Sequence, residues 1–214
     1  MEVSAAAELL QKNGIQVSLK KGTAATEASL KALGSGGDTS PRVLHIATHG
    51  YFFPDPSLSP SLGGGQGEAA FKMSEHPMIR SGLVLSGGNH AWKTGRPLHE
   101  GQEDGILTAY EISQLNLSNT ELVVLSACET GLGDIQGNEG VYGLQRAFKI
   151  AGAKYLIMSL WQVPDFQTQA FMTAFYRQWL EGKKPVPDAF RATQAELRAK
   201  YGGAFFWAGF VLVE

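Results

Sequence analysis

The chain has 214 residues and a formal net charge of −2, with 18 Lys and Arg against 20 Asp and Glu. Hydrophobic residues make up 43% and charged residues 18%, the reverse of the balance in a disordered chain. The Lys and Arg residues are scattered, which argues against direct nucleic-acid binding, since phosphate neutralisation needs clustered cations.

The cysteine count and the hydropathy pattern limit the compartment. Cys128 is the one cysteine and cannot form an internal disulfide, so nothing in the sequence indicates secretion. No apolar run approaches the roughly 20 residues of a membrane-spanning helix, and residues 1–4 lack the features of a signal peptide. We therefore expect a soluble, cytoplasmic domain with no membrane partner.

The first forty residues predict a leading helix and the start of a βαβ unit. An Ala-rich helical pattern covers residues 2–13, and alternating apolar residues at 15–19 predict a strand. Thr23 is a candidate N-cap for a helix through Leu33, and the apolar run at 43–47 predicts a buried strand. A strand, a helix and a second strand in this order predict a parallel sheet.

Residues 54–105 are rich in Gly, Ser and Pro and predict a loop-rich insertion with one strand at 82–85. A loop region of this length inside a compact domain is usually functional or mobile. We therefore expect the insertion to line or cover a site.

Regular structure is predicted again from residue 106 onward, where Thr108 is a candidate cap for a short helix through Leu115. The next predicted elements are a strongly apolar strand at 122–127, a helix at 139–151 and a strand at 155–160. A helix to Leu180 begins at Asp165 or Thr168, Asp188 is a candidate cap for a helix to about Lys200, and a last strand follows at 205–213. Strands that alternate with helices predict one three-layer α/β domain over residues 1–214.

Two predicted buried strands end in residues that carry chemistry, at the strand ends where α/β sheets gather reactive groups. His49 follows the strand at 43–47, and Cys128 follows the strand at 122–127. If these strands are neighbours, the imidazole can help to form the thiolate that attacks a carbonyl and can then protonate the leaving amine. The backbone amides of Gly50 and Cys128 are the natural oxyanion donors.

Each of these residues also has a structural alternative. A lone cysteine at a strand end is most often a small buried apolar residue, and a histidine before glycine often caps a turn. His45 and His49 have a metal-like spacing, but their apolar neighbours predict a strand and no further ligand completes a zinc set. The glycines after Cys128 lie where a dinucleotide loop would lie, but no acidic residue ends the next strand. We expect no metal and no organic cofactor.

The same motifs resemble a known family. Residues 43–50, VLHIATHG, resemble the His motif of the CHAT domain, a caspase-like peptidase family related to separases, and residues 122–133, LVVLSACETGLG, resemble its Cys motif. The stretches at 139–153, 159–163 and 207–212 also follow the family pattern. This sequence departs from the pattern at Pro164 and at residues 202–204, and it contains no tetratricopeptide-type helical repeats, which usually precede such domains.

The resemblance implies a caspase-like fold, with a central, mainly parallel sheet and helices on both faces. It also implies a cysteine endopeptidase with His49 and Cys128 as the dyad, acting on a protein or peptide substrate without a cofactor. The family context adds a role in bacterial regulated proteolysis or defence, with activation by a partner protein or a repeat region.

Three further residues are candidates for substrate binding. The segment of separases that resembles the one around Asp165 ends in an aspartate that pairs with an arginine before the scissile bond, and such a carboxylate favours a basic residue. Asp165 has an alternative role as a helix N-cap. Glu129 adjoins the nucleophile and has solvent exposure as its alternative, whereas Trp161 either walls the pocket or packs in the core.

A rival function from another class is a non-catalytic interaction or scaffold domain that keeps the fold. A third option is another thiol hydrolase or an acyltransferase. A well-formed cleft that accepts an extended peptide would favour the peptidase, and a filled or convex surface at Cys128 would favour the scaffold.

Overall fold

The computed structural model describes residues 2–53, 68, 71–72, 74–126, 128–129, 139–161 and 163–214, with the backbone alone at 128–129 and 139–142. The α-helices are α1 (Glu2–Lys12), α2 (Glu27–Lys31), α3 (Gly88–Thr94), α4 (Ala109–Ile112), α5 (Glu139–Ile150), α6 (Asp165–Tyr176) and α7 (Val186–Tyr201). The strands are β1 (Val43–Ile46), β2 (His49–Phe52), β3 (Ser81–Val84), β4 (Ile106–Thr108), β5 (Leu122–Leu125), β6 (Cys128–Glu129), β7 (Tyr155–Ser159) and β8 (Phe210–Val213).

The strands form two four-stranded sheets. The first has the order β1-β5-β7-β8, in which β1, β5 and β7 are parallel and β8 is antiparallel to β7. The second has the order β4-β3-β2-β6, in which only the β2–β6 pair is parallel. β2 follows β1 within a few residues, and β6 follows β5 in the same way. Each of these two chain segments therefore contributes one strand to the first sheet and one to the second.

The first sheet is covered by helices on both faces. Leu122 and Val124 of β5 pack in a core cluster with residues of α1, α6 and α7, including Leu10 and Phe171. The alternate residues of β5 pack in a second cluster with residues of α4 and α5, including Phe148. Since successive side chains of a strand point to opposite faces, these clusters are the two sides of one sheet. The predicted three-layer α/β fold with a mainly parallel sheet is confirmed.

The predicted βαβ unit at the N-terminus is wrong. Residues 15–19 form no strand, although Ile15 and Val17 pack against the first core cluster. Alternation of apolar residues predicts which side chains face the core, but a strand also needs a neighbour for its backbone. The helix is α2, and its N-cap is Thr26, whose hydroxyl accepts the Ser29 N–H at 3.2 Å.

The region predicted as a loop-rich insertion contains more regular structure than expected. Its predicted strand is β3, and α3 forms where the sequence predicted a glycine-rich loop. Gly87 and Gly95 flank α3 with φ of 93° and 70°, left-handed conformations that favour glycine. Residues 54–67, 69, 70 and 73 lie outside the described part of the chain, so the predicted role in covering a site stays a prediction.

The C-terminal elements follow the prediction with shifted ends. Helix α6 begins at Asp165 and continues into one π-helical turn at Arg177–Glu181. Helix α7 begins at Val186, two residues before the predicted cap, and the last strand is shorter than predicted because a 3-10 turn occupies Ala204–Phe206. Within the described residues, none of the helices is both long enough and apolar enough to span a membrane.

Candidate active site

His49 and Cys128 lie opposite one another on neighbouring parallel strands. Each is the first residue of its strand, and the β2–β6 register pairs their Cα positions. Neighbouring strands lie about 4.8 Å apart. The pairing continues the register of β1 and β5, in which Ile46 lies opposite Leu125. The Ser126 N–H bridges the two pairings by donating to the Ile46 carbonyl at 2.9 Å.

The surroundings of His49 leave its side chain accessible. His49 is exposed and pairs with Val84 of β3, on the side of β2 away from β6. The hydroxyl of the preceding residue, Thr48, donates to the Val84 carbonyl at 2.5 Å, which anchors the entry to β2. An imidazole held at a strand end and open to solvent is free to meet an incoming molecule.

Gly50 presents its backbone toward the strand of Cys128. Just beyond β2, the Phe53 N–H donates to the Arg80 carbonyl at 2.7 Å. The backbone groups of successive residues alternate between the two sides of a strand, so those of Tyr51 and His49 face β3 and those of Gly50 face β6. Gly50 is paired there with Glu129.

The predicted substrate-binding residues lie at two places. Glu129 belongs to the β2–β6 pair, and its side chain lies outside the described part. Trp161 follows β7, is half-buried, and donates its indole N–H to the Phe205 carbonyl at 3.0 Å. Its ring stacks on that of Phe205, with centroids 6.3 Å apart. Trp161 therefore belongs both to the edge of the core and to the surface beside it.

Asp165 is an exposed carboxylate in the first turn of α6. The alternative reading as the N-cap is wrong, because Pro164 occupies that position. Among the described residues no side chain forms an ion pair with Asp165, and its charge interacts favourably with the helix dipole. The chain segment from Trp161 to Asp165 follows β7, which neighbours the β5 strand that leads to Cys128.

A buried polar network that the sequence did not reveal lies beneath the two strand ends. His45 of β1 is 8% exposed, and its two ring nitrogens lie 2.9 Å from the Tyr176 hydroxyl and 3.0 Å from Glu2 Oε1. The Ser126 hydroxyl donates to the same Glu2 oxygen at 2.5 Å. A histidine within an apolar strand indicates that a buried partner exists. Its partners are 43 and 131 positions away, so no local pattern identifies them.

A second charged cluster surrounds Lys31. Its ammonium group lies 2.6 Å from Glu27, 3.0 Å from Glu103 and 2.8 Å from Glu111. Burial raises the pKa of Glu27 to about 7, against the opposing effects of Lys31 and of the Gly105 N–H. Hydrogen bonds from Lys31 and Thr108 lower the pKa of Glu111, outweighing its partial burial. Of these two carboxylates, the more deeply buried Glu27 holds a proton more readily.

The sequence is similar to a protein family and to known proteins. The family model of the CHAT domain matches residues 1–214, the whole chain. The chain is 35% identical over 109 residues to tetratricopeptide repeat protein 28 of Mus musculus, covering 50% of this chain and 4% of that protein. It is 28% identical over 182 residues to tetratricopeptide repeat protein 28 of Homo sapiens, covering 82% of this chain and 7% of that protein.

The chain thus corresponds to less than a tenth of the length of either relative. Both relatives are named for tetratricopeptide repeats, whereas the matched family model describes the domain itself. The full-length match and the confirmed fold together establish that the chain belongs to the CHAT domain family, which is caspase-like and related to separases.

Proposed function

We propose that the chain is a cysteine endopeptidase domain in which His49 and Cys128 form the catalytic dyad. The observation that carries the proposal is the β2–β6 register, which pairs these two residues at the ends of adjacent strands in a caspase-like family. The exposure of His49 supports it further, since a catalytic imidazole must reach the substrate.

The proposed reaction proceeds through an acyl-enzyme. His49 accepts the Cys128 thiol proton, and the resulting thiolate attacks the peptide carbonyl carbon to form a tetrahedral intermediate. His49 then donates that proton to the leaving amine as the C–N bond breaks. Water then attacks the thioester, His49 accepts its proton, and the carboxylic acid product leaves with the thiol regenerated. No metal and no organic cofactor take part.

The oxyanion is proposed to bind the backbone amides of Gly50 and Cys128. The direction of the Gly50 N–H, toward β6, supports its part. In the described structure this side of β2 is paired with β6. Substrate binding would therefore compete with β2–β6 pairing, which is a route by which a partner protein or a repeat region can control activity.

The names of the two relatives favour control by helical repeats. Both are tetratricopeptide repeat proteins in which the matched domain is a small part of the chain. We propose that such a repeat region, in the same chain or in a separate protein, activates the domain or presents its substrate. The same names also keep a non-catalytic scaffold as the second candidate, because repeat proteins commonly serve in assembly.

Covalent labelling tests the dyad. The protein is incubated with peptidyl acyloxymethyl ketones that carry Arg, Lys, Leu or Asp before the reactive group, and the intact mass is measured. We expect one adduct on Cys128, no adduct on Cys128→Ala, and labelling at least about 100-fold slower on His49→Ala, because general acid–base assistance is lost. His90→Ala, an exposed histidine on α3, is the matched control and should label normally.

The outcomes separate the candidates. Equal labelling rates of His49→Ala and the unmodified chain would show that His49 takes no part in the reaction of Cys128. Absence of an adduct with every ketone, both alone and with a tetratricopeptide repeat region supplied, would favour the scaffold.

Asp165 is proposed to select a basic residue before the scissile bond. Its exposed carboxylate at the start of α6, which forms no ion pair among the residues that the structure describes, supports this role. We expect Asp165→Asn to lower kcat/KM for Arg and Lys substrates by about 10- to 100-fold, the equivalent of one charge-assisted hydrogen bond, and to leave Leu substrates unchanged. Asp188→Asn is the control, since Asp188 also lies in the first turn of a helix. An unchanged substrate preference in Asp165→Asn would exclude the pocket role.

A further inference from the structure

The carboxylate of Glu2 connects the two strands that lead to the proposed dyad. It accepts hydrogen bonds from His45 on β1, at 3.0 Å, and from Ser126 just after β5, at 2.5 Å. Cys128 follows Ser126 by two residues, and His49 follows His45 by four. One side chain of α1 therefore contacts both chain segments just before they enter the second sheet.

One proton arrangement accounts for the three hydrogen bonds of the network. Tyr176 is fully buried, and burial with the nearby Glu2 charge raises the pKa of its phenol, so it remains a donor. In the neutral imidazole, a proton on Nε2 is donated to Glu2 and leaves Nδ1 to accept from the Tyr176 hydroxyl. The Ser126 hydroxyl supplies the second donor to the carboxylate.

The position of this contact gives it a specific role. Within β1 and β5 the backbone ladder sets the register, but β5 ends at Leu125 and β6 begins only at Cys128. Ser126 lies in this interval, where the backbone bond from its N–H to the Ile46 carbonyl, at 2.9 Å, joins the two segments and the Glu2 contact adds a side-chain bond. A carboxylate that is 16% exposed is a costly way to stabilise a core, because apolar residues of similar size do as well. It is well suited to hold donors from two different strands in one geometry.

We propose that Glu2 is a positioning residue, which sets the relative placement of His49 and Cys128 by holding His45 and Ser126 together. This inference rests on the proposed function, and it makes the geometry of the dyad depend on helix α1.

The test uses Glu2→Ala, Glu2→Gln and the control Glu8→Ala, an exposed glutamate on the same helix. Because the chain has one cysteine, alkylation by iodoacetamide reports on Cys128 alone. The alkylation rate is measured against pH in each variant and in His49→Ala. We expect the midpoint of the Glu2→Ala profile to move toward that of His49→Ala, with Glu2→Gln between and Glu8→Ala unchanged.

Peptide hydrolysis supplies the second readout. We expect Glu2→Ala to lower kcat about tenfold or more with a smaller change in KM, since a misplaced dyad slows the chemical step rather than binding. A merely structural role would lower the melting temperature and leave the alkylation midpoint and the ratio of kcat to KM unchanged, and that result would overturn the inference.

Hydrogen exchange separates this inference from the proposed function. If His49→Ala alkylates with the profile of the unmodified chain, the dyad itself fails. In that case, exchange measured over residues 46–53 and 125–129 still decides whether Glu2 holds the two segments. Faster exchange in Glu2→Ala than in Glu8→Ala supports the positioning role, and equal exchange contradicts it.

Discussion

Three glutamates contact the ammonium group of Lys31, and the pKa values of two of them, Glu27 and Glu111, are shifted in opposite directions. Glu27 is 2% exposed and also accepts the Gly105 N–H at 2.8 Å, so it joins α2 to the segment before β4. Glu111 accepts hydrogen bonds from the Thr108 hydroxyl and N–H and completes the capping box of α4. The cluster thus connects α2, α4 and the segment before β4, with three carboxyl groups around one ammonium group.

The raised pKa of Glu27 gives stability a specific pH dependence. The pKa is about 7 in the folded state and 4.5 ordinarily, so its contribution is complete below pH 4.5 and is lost as pH rises through 7. We expect the unfolding free energy to fall between pH 5 and pH 8 by on the order of 2 to 3 kcal/mol from this group. Glu27→Gln keeps an acceptor for Gly105 and should remove that decrease, as measured by urea unfolding across this range.

Glu103→Gln is the control for this experiment, because Glu103 contacts the same lysine but is exposed to solvent. It should retain the pH dependence of the unmodified chain. If Glu27→Gln shows the same decrease between pH 5 and pH 8, the buried carboxylate is not its source.

At the scale of elements, α6 illustrates how one helix serves both the core and the surface. Its buried face includes Phe171 and Phe175, which are fully buried, and Phe171 stacks on Phe210 of β8 with ring centroids 4.2 Å apart. Its first turn carries Asp165 and Phe166 outward. The core face therefore fixes the orientation in which the helix presents its first turn to solvent.

Two substitutions of phenylalanine by alanine in α6 should differ widely in their effect on stability. We expect Phe171→Ala to lower the unfolding free energy by about 3 to 5 kcal/mol, because it leaves a cavity between the helix and the sheet. Phe166→Ala should change it by about 0.5 kcal/mol or less, since Phe166 is 67% exposed. Urea unfolding of both variants measures the difference, and similar losses would contradict the described packing of α6.

At the scale of the whole molecule, the first sheet forms the rigid centre and the second extends from it. β5 is buried along its whole length between two core clusters. β6, which continues from it, has two residues and lies at the edge of the second sheet as described. The candidate active site is therefore built on the short continuation of the best-packed strands.

This arrangement predicts a gradient of local stability. The amides of β5 and of Leu156–Met158 in β7 should exchange with deuterium only through global unfolding, because their environment is fully packed. Those of α3, a seven-residue helix with exposed residues along its length, should exchange through local opening. Native-state hydrogen exchange in low urea measures both. Exchange of β5 at the rate of α3 would show that the centre of the first sheet is not the stable core.

The elements that the sequence predicted well are those whose local pattern reflects burial. β5 is an unbroken apolar run, and β1 and β7 are apolar except for His45 and Ser159, as is typical of strands covered on both faces. The two incorrect predictions of secondary structure also have physical causes. Residues 15–19 alternate as a strand does but have no neighbour, and α3 begins in a segment whose glycines indicated a loop while in fact flanking a helix.

The sequence by itself determined the fold class, the family and the placement of His49 and Cys128 directly after buried strands, because each follows from residues close together in the chain. Only the tertiary structure decided that β2 pairs with β6, that Asp165 lies past the cap of α6, and that Glu2 meets His45 and Ser126 across 43 and 124 positions. The physical reason is that local patterns record which residues are buried, whereas packing alone selects which distant segments meet.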